Sequence, residues 1–106
     1  MAFNVLFLAH APDADPQKHK CLIEMSKFKL FVRVVKNQAQ ALDECKKLVK
    51  EEGISSILLC PGFTHRNIAE ISGAVGQDVG VCVARGDGPS SRVAMEVMKR
   101  EGWFSD

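Results

Sequence analysis

The chain has 106 residues, of which 46% are hydrophobic and 25% charged, and its formal net charge is +1. This length and composition are typical of one globular domain, which we assign to residues 1–106. The near-zero charge argues against a nucleic-acid or membrane surface, and no apolar run approaches the roughly 20 residues that span a bilayer. Residues 1–9 are apolar but lack the basic segment of a signal peptide, so we expect a cytoplasmic protein.

The first predicted strand is Phe3–Ala9, a nearly continuous apolar run typical of a strand covered on both faces. Prolines and aspartates in residues 10–16 end it. Residues 20–25 fit either a short helix beginning at Pro16 or a strand in a hairpin with the next strand, Phe28–Val35. We favour the hairpin, because the helix would have only about two turns.

A helix follows, with Asn37 as its N-cap and Gln40 as the capping-box partner. Gly53 ends it in the manner of a left-handed C-terminal residue. Its predicted core-facing stripe is Ala41, Leu42, Cys45, Leu48 and Val49.

The most informative stretch is Ile54–Ile68. It predicts a buried strand, Ile54–Cys60, then a Pro-Gly turn and a helix over residues 65–75 capped by Thr64. The core-facing stripe of this helix is Ile68, Ile71, Ser72 and Val75. Such strand-to-helix corners lie at the carboxyl edge of a parallel sheet, where open α/β proteins place ligands.

The last third predicts a strand, Val79–Ala84, a loop, Arg85–Ser91, and a helix ended by Gly102. The helix is expected to face inward with Val93, Ala94, Val97 and Met98. Trp103 and Phe104 would then fold back as a lid on the sheet or on a partner.

These elements predict an α/β three-layer sandwich around a mainly parallel four-strand sheet, flavodoxin-like or Rossmann-like. Counting only the long strands, we expect the order 2-1-3-4, with residues 20–25 as an additional antiparallel hairpin strand. That order places the loops after long strands one, three and four side by side.

Polar residues in these loops form a candidate ligand site. Helix N-termini, glycine backbone, hydroxyls and an arginine suit a phosphate or carboxylate. The alternative is that Gly86–Pro89 is simply a turn that begins a helix, since the spacing is not a dinucleotide or phosphate-loop fingerprint. The predicted ligand-binding residues are Asp13, Thr64, Arg85, Gly86, Asp87, Gly88, Ser90 and Ser91.

Cys60 is the candidate nucleophile, because it ends a strand just before a helix N-terminus, where a thiolate is stabilised. His65, or His10 from the neighbouring strand, is the candidate base. The alternative is that Cys60 only packs in the core. His10 and His65 with Asp13 or Asp87 have the right ligand types for a metal, but no spacing selects one, so we predict neither a metal nor a cofactor.

The four cysteines stand singly, without a C-x-x-C pair, and we expect them to be reduced thiols. Three of the four are expected to face the core as small hydrophobic side chains. The cysteines are Cys21, Cys45, Cys60 and Cys82.

Two segments resemble a family of small prokaryotic α/β proteins, a domain of unknown function. The loop Ala11–His19 is similar to the family's Ala/Pro-Asp-Ala-Asp-Pro-x-Lys-His pattern. Leu59–Thr64 matches Leu-Cys-Gly-Gly-Phe-Gly, with Pro61 and Thr64 in place of glycines. The resemblance extends from end to end and implies the same fold, but it implies no reaction.

Three functions follow from these observations. The first is binding of a small anionic metabolite at the carboxyl edge of the sheet. The second is an enzyme, a hydrolase or transferase, that uses Cys60 with a histidine. The third is a non-catalytic oligomeric subunit. In each case a homodimer is expected, because an exposed strand and an apolar C-terminus invite pairing.

Overall fold

The computed structural model describes residues 2–104 as an α/β fold with one five-strand sheet and three helices. The strands are β1 (Phe3–His10), β2 (Lys20–Glu24), β3 (Phe28–Val35), β4 (Ser56–Leu59) and β5 (Gly80–Val83). The helices are α1 (Gln38–Glu52), α2 (His65–Val75) and α3 (Gly88–Arg100).

The sheet has the order β2-β3-β1-β4-β5. β1 lies in the centre and pairs in parallel with β3 and β4, and β4 pairs in parallel with β5. β2 pairs antiparallel with β3, which confirms the hairpin for this segment. This order differs from the predicted 2-1-3-4, which numbered only the four long strands. The sheet has a fifth strand, because β2 pairs fully with β3 and forms the edge. The other strands run β3-β1-β4-β5.

Helices α1 and α2 pack on one face of the sheet, and the core lies between them and the strands. Alternate residues of a strand point to opposite faces, so the register shows which residues share a face. The buried strand residues all share the helix-covered face: Leu6, Leu8, Phe31, Val35, Ile57 and Leu59.

The stripe predicted for α1 is confirmed, with Ala41, Cys45 and Leu48 buried and its other two members packed against the core. In α2, Ile71 is buried, but Ser72 is exposed, contrary to the prediction. A serine between apolar positions takes the solvent side readily, because its hydroxyl then needs no protein partner.

Local capping follows the sequence closely. Asn37 Oδ1 accepts a hydrogen bond from the Gln40 N–H at 2.9 Å, and Thr64 Oγ1 accepts one from the Asn67 N–H at 3.1 Å. Gly53 ends α1 with a φ of 64°, a conformation that favours glycine.

Helix α3 departs from the prediction. All of its residues are described and none is buried; Val93 and Val97, expected to face inward, are 61% and 40% exposed. The structure therefore has two packed layers, and not the predicted three. In a three-layer sandwich, a helix between the first two long strands would cover the sheet face opposite α1 and α2. Here β1 and β3 are connected by a loop and β2, with no helix between them.

One charged side chain is buried against β3. Glu44 in α1 is 5% exposed, and its Oε1 lies 3.3 Å from Arg33 Nε. Lys47 Nζ lies 3.8 Å from the other carboxylate oxygen. Within residues 2–104, no helix is long and apolar enough to cross a membrane.

Candidate functional site

A groove of about 730 Å³ lies between the carboxyl edge of the sheet and α3. The residues at the ends of β1, β4 and β5 meet there, because these strands are neighbours in the sheet. We call it the carboxyl-edge groove. It is lined by Ala9, His10, Cys60, Pro61, Gly62, Gly86, Ser91, Ala94, Met95, Met98, Trp103 and Phe104.

The loops after β4 and β5 approach each other closely at Gly86. A β-carbon at this position would lie 2.6 Å from Ser91 Oγ and 4.0 Å from Pro61 Cβ. Glycine thus allows the loop to close onto the first turn of α3 while the Ser91 hydroxyl keeps its position.

His10 is held by stacking against Phe63, with ring centroids 3.9 Å apart and an interplanar angle of 22°. Burial lowers the pKa of the imidazole below its ordinary value, and a hydrogen bond with the Gly62 backbone opposes this shift. At neutral pH the ring is therefore mainly neutral. Its Nε2 atom is buried and has no hydrogen-bond partner among the described residues.

Cys60 and His10 both lie next to Gly62. A β-carbon placed on Gly62 would be 3.5 Å from Cys60 Sγ and 3.6 Å from His10 Nδ1. Both side chains line the groove, and Cys60 is partly buried. A side chain at position 62 would therefore contact both the sulfur and the ring.

The groove brings together four of the residues selected from the sequence: His10, Cys60, Gly86 and Ser91. The others are exposed and do not line it: Asp13, Thr64, His65, Arg85, Asp87, Gly88 and Ser90. The Thr64 hydroxyl oxygen is already engaged in capping α2.

Sequence reasoning missed the apolar wall of the groove. The prediction omits Met95, places Met98 in a core-facing stripe, and makes Trp103 and Phe104 a lid. In the structure all four line the groove. A signal was present, because Ser91, Met95 and Met98 are spaced four and three residues apart and share one helix face. No lining residue is an aspartate, glutamate, lysine or arginine, so the groove is largely apolar.

The cysteines differ from the prediction that three of them face the core. Cys45 is buried, and burial, reinforced by the nearby Glu44 carboxylate, raises the pKa of its thiol to about 12. Cys21 and Cys82 are exposed, because they lie on the sheet face that α1 and α2 leave uncovered. In the described part of the chain, no three His, Cys, Asp or Glu side chains are arranged to hold a metal ion.

Comparison with protein families matches residues 3–99 to DUF6506, a family of unknown function. The chain belongs to this family. The DUF6506 match includes both segments that carry the resemblance seen in the sequence, Ala11–His19 and Leu59–Thr64. No curated protein and no solved structure matches the chain. Membership in DUF6506 assigns no reaction or ligand, so function is argued from the groove.

Proposed function

We propose that this DUF6506 protein binds a small molecule with an apolar body and an anionic end in the carboxyl-edge groove. The observation that carries the proposal is the composition of the groove, which joins an apolar wall to a polar loop end. Met95, Met98 and Trp103 would cover the apolar body. Each Å² of apolar surface removed from water contributes about 25 cal/mol to such binding.

The anionic end is assigned to the loop before α3. Gly86 and Ser91 line the groove there, and Arg85 directly precedes them in the chain. The Ser91 hydroxyl can donate a hydrogen bond, a guanidinium binds carboxylate or phosphate with two hydrogen bonds, and the N-terminus of α3 has a positive partial charge. No lining carboxylate would repel an anion in the groove.

Trp103 provides the measurement, because it is the only tryptophan in the chain and lines the groove. Its fluorescence would be titrated with octanoate, with octanol as a probe of the apolar body alone, and with acetate as a probe of the anion alone. We expect octanoate to bind most tightly. Equal affinities for octanol and octanoate would contradict the anionic end, and no saturable binding of either would overturn the proposal.

An arginine variant tests the assignment of the anionic end. Arg85→Gln is expected to weaken octanoate binding about tenfold, equivalent to about 1.4 kcal/mol, and to leave octanol binding unchanged. Arg66→Gln, on the exposed surface of α2, is the matched control. An equal loss in both variants would show that long-range charge, and not a contact with Arg85, attracts the anion.

A second function, thiol-dependent catalysis, is favoured by the positions of Cys60 and His10 around Gly62. A neutral His10 can accept the thiol proton, and the Cys60 thiolate then acts as the nucleophile toward an electrophilic substrate. His10 suits the role of base better than His65, which is exposed and outside the groove.

Alkylation by iodoacetamide, followed by peptide mapping, tests this pairing. We expect His10→Gln to slow alkylation of Cys60 about 100-fold at pH 7, at the low end of general-base effects, without changing the rate at Cys21. His65→Gln is the control, and it should leave Cys60 unaffected. If His10→Gln leaves the Cys60 rate unchanged, His10 is not its base.

A further inference from the structure

The face of the sheet opposite α1 and α2 carries one polar side chain, Ser56 in β4, and is otherwise apolar. The strand register places twelve apolar side chains on this open sheet face. They are Phe3, Val5, Phe7, Ala9, Cys21, Ile23, Phe28, Leu30, Val32, Val34, Leu58 and Cys82. The charged strand residues Lys20, Glu24, Lys29 and Arg33 all lie on the helix-covered face.

No element within residues 2–104 covers the open sheet face well enough to bury it. None of its twelve side chains is buried, and Ile23 and Leu58 are 51% and 38% exposed. A sheet with one face in water normally alternates apolar and polar residues along each strand. Here β3 presents only Phe28, Leu30, Val32 and Val34 on this face, so the sequence is that of a covered sheet.

Helix α3 is a surface complementary to the open sheet face, because it also carries apolar side chains that no part of the described chain buries. Ser91, Met95 and Met98 face the carboxyl-edge groove, whereas Val93 and Val97 form a second stripe that is exposed. A 13-residue helix is marginally stable in water unless an apolar stripe is packed. The chain therefore has an uncovered apolar helix stripe and an uncovered apolar sheet face.

We propose that two copies of the chain form a symmetric dimer in which the Val93–Val97 stripe of each α3 packs on the open sheet face of the other copy. A two-fold axis makes the helix-on-sheet contact twice, so both surfaces are covered in both copies. Standard interfaces use roughly 20 to 30 residues on each side. The twelve sheet residues together with the exposed side of α3 approach this number, whereas either surface alone falls short.

The oligomeric state of the full chain tests the proposal. Light scattering after size-exclusion chromatography at micromolar concentration is expected to give twice the chain mass of 11.6 kDa. Val32→Glu, on the sheet, and Val97→Glu, on the helix, should each weaken dimerisation about 100-fold, because each would bury an unpaired charge in the interface. Ala69→Glu on the exposed surface of α2 is the matched control and should stay dimeric.

Crosslinking identifies what covers the sheet. In a Cys21→Ala/Cys60→Ala/Cys82→Ala background, Val32→Cys and Val97→Cys chains are mixed and treated with a short bismaleimide. A crosslinked pair of chains is expected. A monomeric wild-type chain, a dimer that tolerates both charged variants, or a crosslink formed only within a chain that carries both cysteines would overturn the proposal. The last result would mean that α3 folds back onto its own sheet.

Discussion

His10 links the groove to the stability of the fold. Because burial lowers its pKa in the folded state, the unfolded chain binds the proton more readily. A neutral His10 therefore contributes fully to the free energy of unfolding above the ordinary histidine pKa of about 6.5. This contribution is lost as the pH falls from there toward the lowered pKa of the folded state. We expect the urea midpoint to drop between pH 7.5 and pH 5.5.

The histidine variants separate His10 from the rest of the chain in this experiment. His10→Gln should reduce the loss of stability on acidification, since glutamine does not titrate. His65→Gln, at the exposed start of α2, is the matched control and should leave the loss as it is in the wild type. If His10→Gln loses as much stability on acidification as the wild type, a group other than His10 takes up the proton.

At the scale of elements, the ion pair between β3 and α1 offers an internal comparison. Arg33 and Glu44 lie 3.3 Å apart and are nearly buried, whereas Lys29 and Glu24 lie 3.1 Å apart and are about half exposed. Arg33→Met leaves the Glu44 charge buried with only Lys47 nearby, so the free energy of unfolding should fall by about 3 kcal/mol. Lys29→Met, on the same strand face, should cost under about 1 kcal/mol.

Urea denaturation at pH 7 measures both variants. Equal costs would mean that water reaches Glu44 in solution. The double variant Arg33→Met/Glu44→Leu should recover most of the lost stability, because it removes both charges and fills the space with apolar atoms.

Some features of the elements could be predicted from the sequence and others could not. The predictable ones depend on residues close together in the chain. The α1 stripe, its Asn37 cap and Gly53 depend on neighbours within a few residues, and the predictions for them are confirmed. The burial of Glu44 was not predicted, because it depends on Arg33 from another element. In the site, the order of strands along the chain suffices to predict that His10 and Cys60 lie at the carboxyl edge of the sheet. Arg85 and Asp87 do not line the groove, and this depends on the path of the loop into α3, which the local sequence does not specify.

At the scale of the whole molecule, the predicted third layer was wrong for a physical reason. Periodicity identifies an apolar stripe on α3 but does not say which molecule covers it. The same holds for Phe3–His10, whose apolar residues on both faces indicated a strand covered twice, although in one chain α1 and α2 cover one face only. Both patterns are consistent with the proposed dimer, which supplies the second cover.

The position of β1 has a consequence for how the chain is made. β1 precedes both of its neighbouring strands, β3 and β4, in the chain, so it is synthesised before either of them. Its run FNVLFLAH is mostly apolar and has no proline or acidic residue, and such runs tend to aggregate when they are exposed. At about 5 to 20 residues per second, some seconds pass before residues 56–59 emerge. β1 therefore lacks one of its two neighbouring strands until β4 has been translated, and its edge toward β4 stays unpaired for that time.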